Sequence, residues 1–217
     1  MPLIKQIIDL RSKCHGYCES FKQQISDKKE LEAAIGCFGM LFNKTTLTLE
    51  LLSHYYECWK TPRNLPQDEL TIIQKENAER CMEAQKDMFI GYISAIEYSL
   101  KQILVANRLH PLRQQCEAII KKRSNHKIYL GDIINLSTDS GIIRDKLQWE
   151  CIIDVRNCSV HNNSIAETNK TYLLGNRRIE MTKDTMMKGT LDFFGFLSGL
   201  ALNEYAAWLS GFINSLT

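Results

Sequence analysis

Phe89-Ile90-Gly91-Tyr92-Ile93-Ser94-Ala95-Ile96-Glu97-Tyr98-Ser99-Leu100-Lys101-Gln102-Ile103-Leu104 carries the pattern on which the fold rests. Phe89, Ile93, Ile96, Leu100 and Ile103 recur at intervals of three and four. That spacing makes one buried stripe along a helix, with Glu97 beside it. Upstream, the helix is expected to start after Pro66, and downstream to run to about Arg108. Thr61-Pro62-Arg63-Asn64-Leu65-Pro66 holds two prolines in five residues, which stop a helix. It marks the expected boundary between an N-terminal helical extension, residues 1–65, and a main body, residues 66–217. Within the extension, Leu3, Ile7, Leu10 and Tyr17, then Leu31, Ile35, Phe38, Leu41 and Phe42, recur at helical spacing, with Gly36 and Gly39 as its weak points.

Beyond Pro111 the chain predicts a helix over about 112–122, then the basic run Lys121-Lys122-Arg123-Ser124-Asn125-His126-Lys127. A region around Gly131 and a loop from Ser137 to Gly141 lead into a helix over about 142–157, with Ile142, Ile143, Leu147, Ile152 and Ile153 facing inward. Tyr172 to Thr182 alternates weakly around Gly175-Asn176, which admits a small β-hairpin. A last helix over about 186–216 carries Phe194, Leu197, Ala201, Tyr205, Trp208 and Phe212 on one face. The expected fold is all-α, a helical bundle with an N-terminal extension and one small β-hairpin before the last helix.

Composition agrees. Four prolines and eleven glycines in 217 residues are too few for a turn-rich β fold. An apolar fraction of 44 % supplies a sizeable core. A net charge of +2 confines any nucleic-acid site to a local patch. Met1 to Leu10 is too charged to read as a signal peptide, and no stretch approaches the length of a membrane span. Eight cysteines scattered singly read as free thiols in a reducing cytoplasm rather than a disulfide framework.

Chemistry concentrates in Arg156-Asn157-Cys158-Ser159-Val160-His161. Arginine grips phosphate oxygens with a planar fork, and histidine moves protons near neutral pH. Together they suffice for metal-free RNA cleavage, because the 2′-hydroxyl is the nucleophile. On spacing alone the pair reads equally as a surface arginine bound to Asp154 or Asp145 and a capping histidine. Five positions on an ideal helix place two side chains on different faces, so they converge only if the helix ends or bends near Ser159. Cys14 and Cys18 share a helix face, but the other cysteines supply no second close pair for a tetrahedral metal site. Cys158, three residues before His161, is a nucleophile by type, yet its position favours packing inward. The basic run, and Arg177-Arg178 near the turn, are either solvated or contacts to an RNA backbone. No phosphate-binding glycine loop and no nucleophile-elbow serine occur.

Leu147 through Asn162 resembles the signature helix of the HEPN superfamily: an arginine, a polar residue directly after it, and a histidine after an interval of four to six. Here these are Arg156, Asn157 and His161. Phe89 through Leu104, with Glu97, resembles the superfamily's first core helix. The likeness spans about residues 85–215 and implies a compact helical bundle that works as a homodimer, two motifs meeting in one basic cleft. It implies a metal-independent endoribonuclease without cofactor, of a toxin–antitoxin, phage-defence or RNA-processing system, leaving 2′,3′-cyclic phosphate and 5′-hydroxyl ends. His161 would exchange protons, Arg156 would stabilise the pentacoordinate phosphorus, Asn157 would orient the histidine or the phosphate, and Glu97 would hold Arg156. Lys121, Lys122, Arg123, Lys127, Arg177 and Arg178 are the RNA-contact candidates. Asn163 stands where members paired with a nucleotidyltransferase antitoxin carry a tyrosine, which disfavours that partner and leaves another antitoxin or operon partner open. The alternative within the superfamily is a non-catalytic module for protein or RNA binding.

Overall fold

The computed structural model describes residues 2–60, 66–161, 164–187 and 189–216. Two long helices come first, α1 (Pro2–Ile25) and α2 (Glu32–Lys60), joined through a 3-10 turn at Lys29–Leu31. Then follow α3 (Gln67–Ala106), α4 (Pro111–Lys122), α5 (Leu130–Asp139) and α6 (Leu147–His161). An antiparallel hairpin, β1 (Lys170–Leu174) and β2 (Arg177–Met181), precedes the last helix, α7 (Phe193–Asn214). The chain is thus all-α with one small hairpin before the last helix, as its patterning predicts. Most of the proline cluster, residues 61–65, lies outside the described residues. Among them, no helix is long and apolar enough to cross a membrane.

Four details differ from expectation. The first two helices part after Ile25, while Gly36 and Gly39 lie inside α2. Helix α5 occupies the region around Gly131, for which no element is expected, and runs into the loop expected from Ser137, with Leu130, Ile133, Ile134 and Ser137 buried. Helix α6 begins at Leu147; Ile142 and Ile143 are buried in the turn before it, Leu147 is exposed and Ile153 is half-buried. Helix α7 begins at Phe193, because Met186 bridges to Ile165 instead of joining the helix. Gly175, at φ +63, sits first in the two-residue hairpin turn, the place a type II′ turn gives to glycine.

The stripe Phe89, Ile93, Ile96, Leu100 and Ile103 lies in the core, no member more than 1 % exposed, and α3 packs along both α2 and α7. Leu3, Ile7 and Leu10 of α1 and Phe38 and Leu41 of α2 enter that same core. Buried hydroxyls tie the helices together where an unpaired polar group would be costly. Tyr205 Oη and Ser99 Oγ lie 2.7 Å apart, and Ser99 Oγ donates to Ala33 O at 3.0 Å, joining α7, α3 and α2. Tyr92 Oη bonds Thr45 Oγ1 and lies 3.2 Å from Cys14 Sγ, joining α3, α2 and α1. Trp208 Nε1 donates to Ser137 Oγ at 2.8 Å, joining α7 to α5.

His110 caps α4. Its Nδ1 accepts from Leu112 N at 3.1 Å, so the neutral ring carries its proton on Nε2, 2.9 Å from Ser215 Oγ. Burial pushes its pKa below the ordinary 6.5. The folded state therefore binds this proton less readily than the unfolded chain, so stability falls as pH drops through and below 6.5. Melting followed from pH 7.5 to 5 should fall further for wild type than for His110→Asn, whose side chain caps without titrating. Parallel curves would remove His110 as the cause.

Candidate functional site

Helix α6 owes its position to one apolar face. Trp149, Cys151, Ile152 and Val155 are 0 % exposed, Cys158 3 % and Ser159 7 %. This leaves Arg156 half-buried and Asn157, Val160 and His161 exposed. The N-terminus of α6 is held by Asp145 Oδ1, which accepts from Leu147 N at 2.9 Å. At the other end the Ser164 N–H donates to Cys158 O at 3.0 Å, with Ser164 at φ +67. The helix therefore runs unbroken through His161. The end or bend near Ser159, on which convergence of Arg156 and His161 depends, does not occur. Within one chain they sit roughly 140° apart around the axis and about 7.5 Å apart along it. Asn162 and Asn163 lie outside the described residues.

Arg156 is not the ion-paired surface residue that spacing alone permits. Asp154 is taken by Lys170 and by the Tyr172 hydroxyl from β1, and Asp145 serves as the cap. Among the described residues no carboxylate lies within ion-pair distance of Arg156. Among the described residues its one bond is from Nη1 to Asn157 Oδ1 at 3.1 Å, and its buried Nε has no partner there. A guanidinium left this way is a donor waiting for an acceptor.

Arg156 lines a cavity of about 310 Å³ between α3, α5 and α6, with Glu97, Asp132, Asn135 and Asn157 in its wall. Glu97 and Arg156 line the same cavity, but the expected hold of Glu97 on Arg156 is not made. They are not bonded: Glu97 Oε1 takes Lys101 Nζ at 2.6 Å. Asp132 is neutralised by Arg123, which donates from Nη1 and Nη2 at 2.6 and 2.8 Å. Both acidic groups of the wall are paired, with Lys101 and Arg123, so among the charged groups of the wall Arg156 is the one with no ion-pair partner among the described residues. Sequence reasoning missed Tyr129, which precedes α5, and Gly131 and Asn135 within it. The i, i+3, i+4 spacing of Leu130, Ile133 and Ile134 was the available signal.

The RNA-contact candidates divide. Lys121, Lys122 and Lys127 are exposed. Arg123 is committed to Asp132. Arg177 binds Asp192 at 2.6 Å and covers the Phe196 ring, and Arg178 pairs with Glu180. Arg177 also holds the Asp192 carboxyl below its ordinary pKa through their hydrogen bond. Arg123 and Arg177 hold structure together through pairs between separate segments, whereas Arg178 stays exposed and pairs only along its own strand. Cys14 is buried against Tyr92, and burial pushes its thiol pKa up; the same burial acts on Cys158, which points inward and away from nucleophilic work.

Compared with known proteins, the chain matches no family model, no curated protein and no solved structure.

Proposed function

We propose that the protein is a metal-independent endoribonuclease of the HEPN type, acting as a homodimer. The observation that carries this reading is the state of Arg156: an unneutralised guanidinium with an orphaned Nε, on a cavity wall beside exposed Asn157, on the same helix as exposed His161. In this reading His161 removes the 2′-hydroxyl proton or protonates the leaving 5′-oxygen, with the second copy's His161 in the complementary role. Arg156 stabilises the charge on phosphorus, and Asn157, already bonded to Arg156, sets its plane. Lys121, Lys122 and Lys127 supply backbone attraction.

The 140° between Arg156 and His161 requires the second copy, whose motif completes the site. Val160, 39 % exposed, is the apolar residue next to His161, and Ile165 and Met186, bridged to each other, are 42 % and 64 % exposed. The reading places the dimer contact at Val160. Val160→Glu should therefore yield a monomer by analytical ultracentrifugation, with cleavage lost and melting unchanged; a monomeric wild type that cleaves would refute the arrangement.

The same angular separation favours a second reading, a non-catalytic helical module for RNA or protein binding. Purified protein incubated with mixed RNA in EDTA decides between them. Cyclic-phosphate and 5′-hydroxyl ends from wild type are the expected products. Abolition of cleavage by EDTA would overturn the mechanism, and no cleavage with or without the chelator would leave the binding module.

A further inference from the structure

The cavity beside Arg156 has more polar equipment than gripping a phosphate requires. Its unused hydrogen-bonding groups can be counted among the described residues. Asn135 Oδ1 accepts from Lys146 Nζ at 3.1 Å and Asn157 Oδ1 from Arg156, so each asparagine retains its amide N–H donors. Glu97 Oε1 takes Lys101, and Oε2 remains an acceptor. One wall is aromatic: Tyr129 is 49 % exposed yet firmly held. Its hydroxyl accepts from Asn125 Nδ2 at 2.8 Å, and its backbone N–H donates to Asp132 Oδ2 at 2.9 Å. Arg123 lies 5.1 Å from the ring centroid, itself fixed by the two bonds to Asp132. An exposed aromatic ring immobilised from several sides is a preorganised stacking platform.

The cavity mouth is the start of α5. The Leu130 and Gly131 amides have no partner among the described residues, and Gly131 leaves open space where a Cβ would be. Oriented N–H groups and an uncompensated guanidinium favour an anion at one end. Free donors, a free acceptor and a held ring favour a flat heteroaromatic group at the other. A volume of about 310 Å³ is at the small end of ligand pockets and suits a single unit rather than a polymer.

The geometry points to a pocket for one unpaired nucleotide of RNA. Its phosphate lies on Arg156 and the α5 amides, its base stacks on Tyr129, and the base edge is read by Glu97, Asn135 and Asn157. That the nucleotide belongs to RNA rests on the ribonuclease reading; the pocket itself rests on the groups just counted.

The test is calorimetric binding of the four nucleoside 3′-monophosphates and of inorganic phosphate to the full chain. At least one nucleotide should bind ten times or more tighter than phosphate, about the value of one stacked base. Tyr129→Ala and Asn135→Ala should each weaken that nucleotide about tenfold and leave phosphate unchanged. Tyr129→Phe, which keeps the ring, should stay close to wild type, and equal melting temperatures exclude misfolding. A single-stranded oligoribonucleotide should displace the mononucleotide, and a blunt duplex should not. Nucleotides binding no tighter than phosphate, or the two alanine variants binding like wild type, would overturn the pocket. Failure of the oligoribonucleotide to compete would reassign it to a free nucleotide and overturn the RNA assignment. Cleavage is read separately: His161→Ala should leave mononucleotide affinity intact while abolishing cleavage, so the pocket and the ribonuclease reading fail independently.

Discussion

His161→Ala should reduce RNA cleavage by about 10²–10⁴-fold, the usual worth of a positioned acid or base, with helicity and melting temperature unchanged. The size follows from placement. His161 is exposed in the last turn of α6, whereas neighbouring Cys158 and Ser159 are buried and carry the packing. Removing an exposed imidazole opens no cavity, so a loss of activity is read without a loss of fold. The homodimer loses both copies, acid and base together, which places the expected effect toward the upper end of the range. Arg156→Ala should cost about 10²–10³-fold by removing the group that meets charge on phosphorus. His161→Ala retaining more than a tenth of wild-type rate would place proton transfer elsewhere.

Gly211→Ala should lower stability by about 2 kcal/mol, with the melting temperature falling by about 4–8 °C. A Cβ at Gly211 would lie 2.1 Å from Ile142 O and 3.0 Å from Ile142 C. That carbonyl has little room to yield. Ile142 and Ile143 N–H both donate to Ser137 O, and the chain turns there through Gly141 at φ +71. Alanine's better helix propensity, about 1 kcal/mol, offsets only part of the overlap. Gly199→Ala is the control on the same helix: its Cβ would meet Leu10 Cδ1 at an ordinary 4.0 Å, so it should be neutral or stabilising. Equal melting of the two variants would contradict a backbone contact at Gly211.

Helix α3 was legible because its buried stripe is long, regular and uninterrupted, and the last helix was legible on its inner face for the same reason. Boundaries failed where buried apolar residues are not helical. Ile142 and Ile143 are buried in a turn, and Met186 lies in an extended segment against Ile165; periodicity does not distinguish such residues from a first helical turn. Helix α5 was missed because its ten residues mix glycine, serine, threonine and asparagine with only a short apolar face. At the candidate site, Asn157 and His161 are exposed on α6 while Arg156 is half-buried, and nothing in their spacing reveals a cavity. Its far wall comes from α5, which reaches Arg156 only through tertiary packing. The commitment of Arg123 to Asp132 and of Arg177 to Asp192 spans nine and fifteen residues, beyond the reach of local pattern.

Six of the eight thiols are buried, spread over five helices, while Cys18 and Cys58 are half-buried. Cys14 lies in α1, Cys37 in α2, Cys81 in α3, Cys116 in α4, and Cys151 and Cys158 in α6, all buried. Burial pushes Cys37 and Cys151 up to about 12 and Cys116 to about 11, so at neutral pH almost none of them is thiolate. Alkylation needs thiolate and access together, and each thiol gains both only when its own helix leaves the core. The native chain therefore carries a built-in set of reporters: the order in which a pulse of alkylating reagent marks these six positions is the order in which the helices detach.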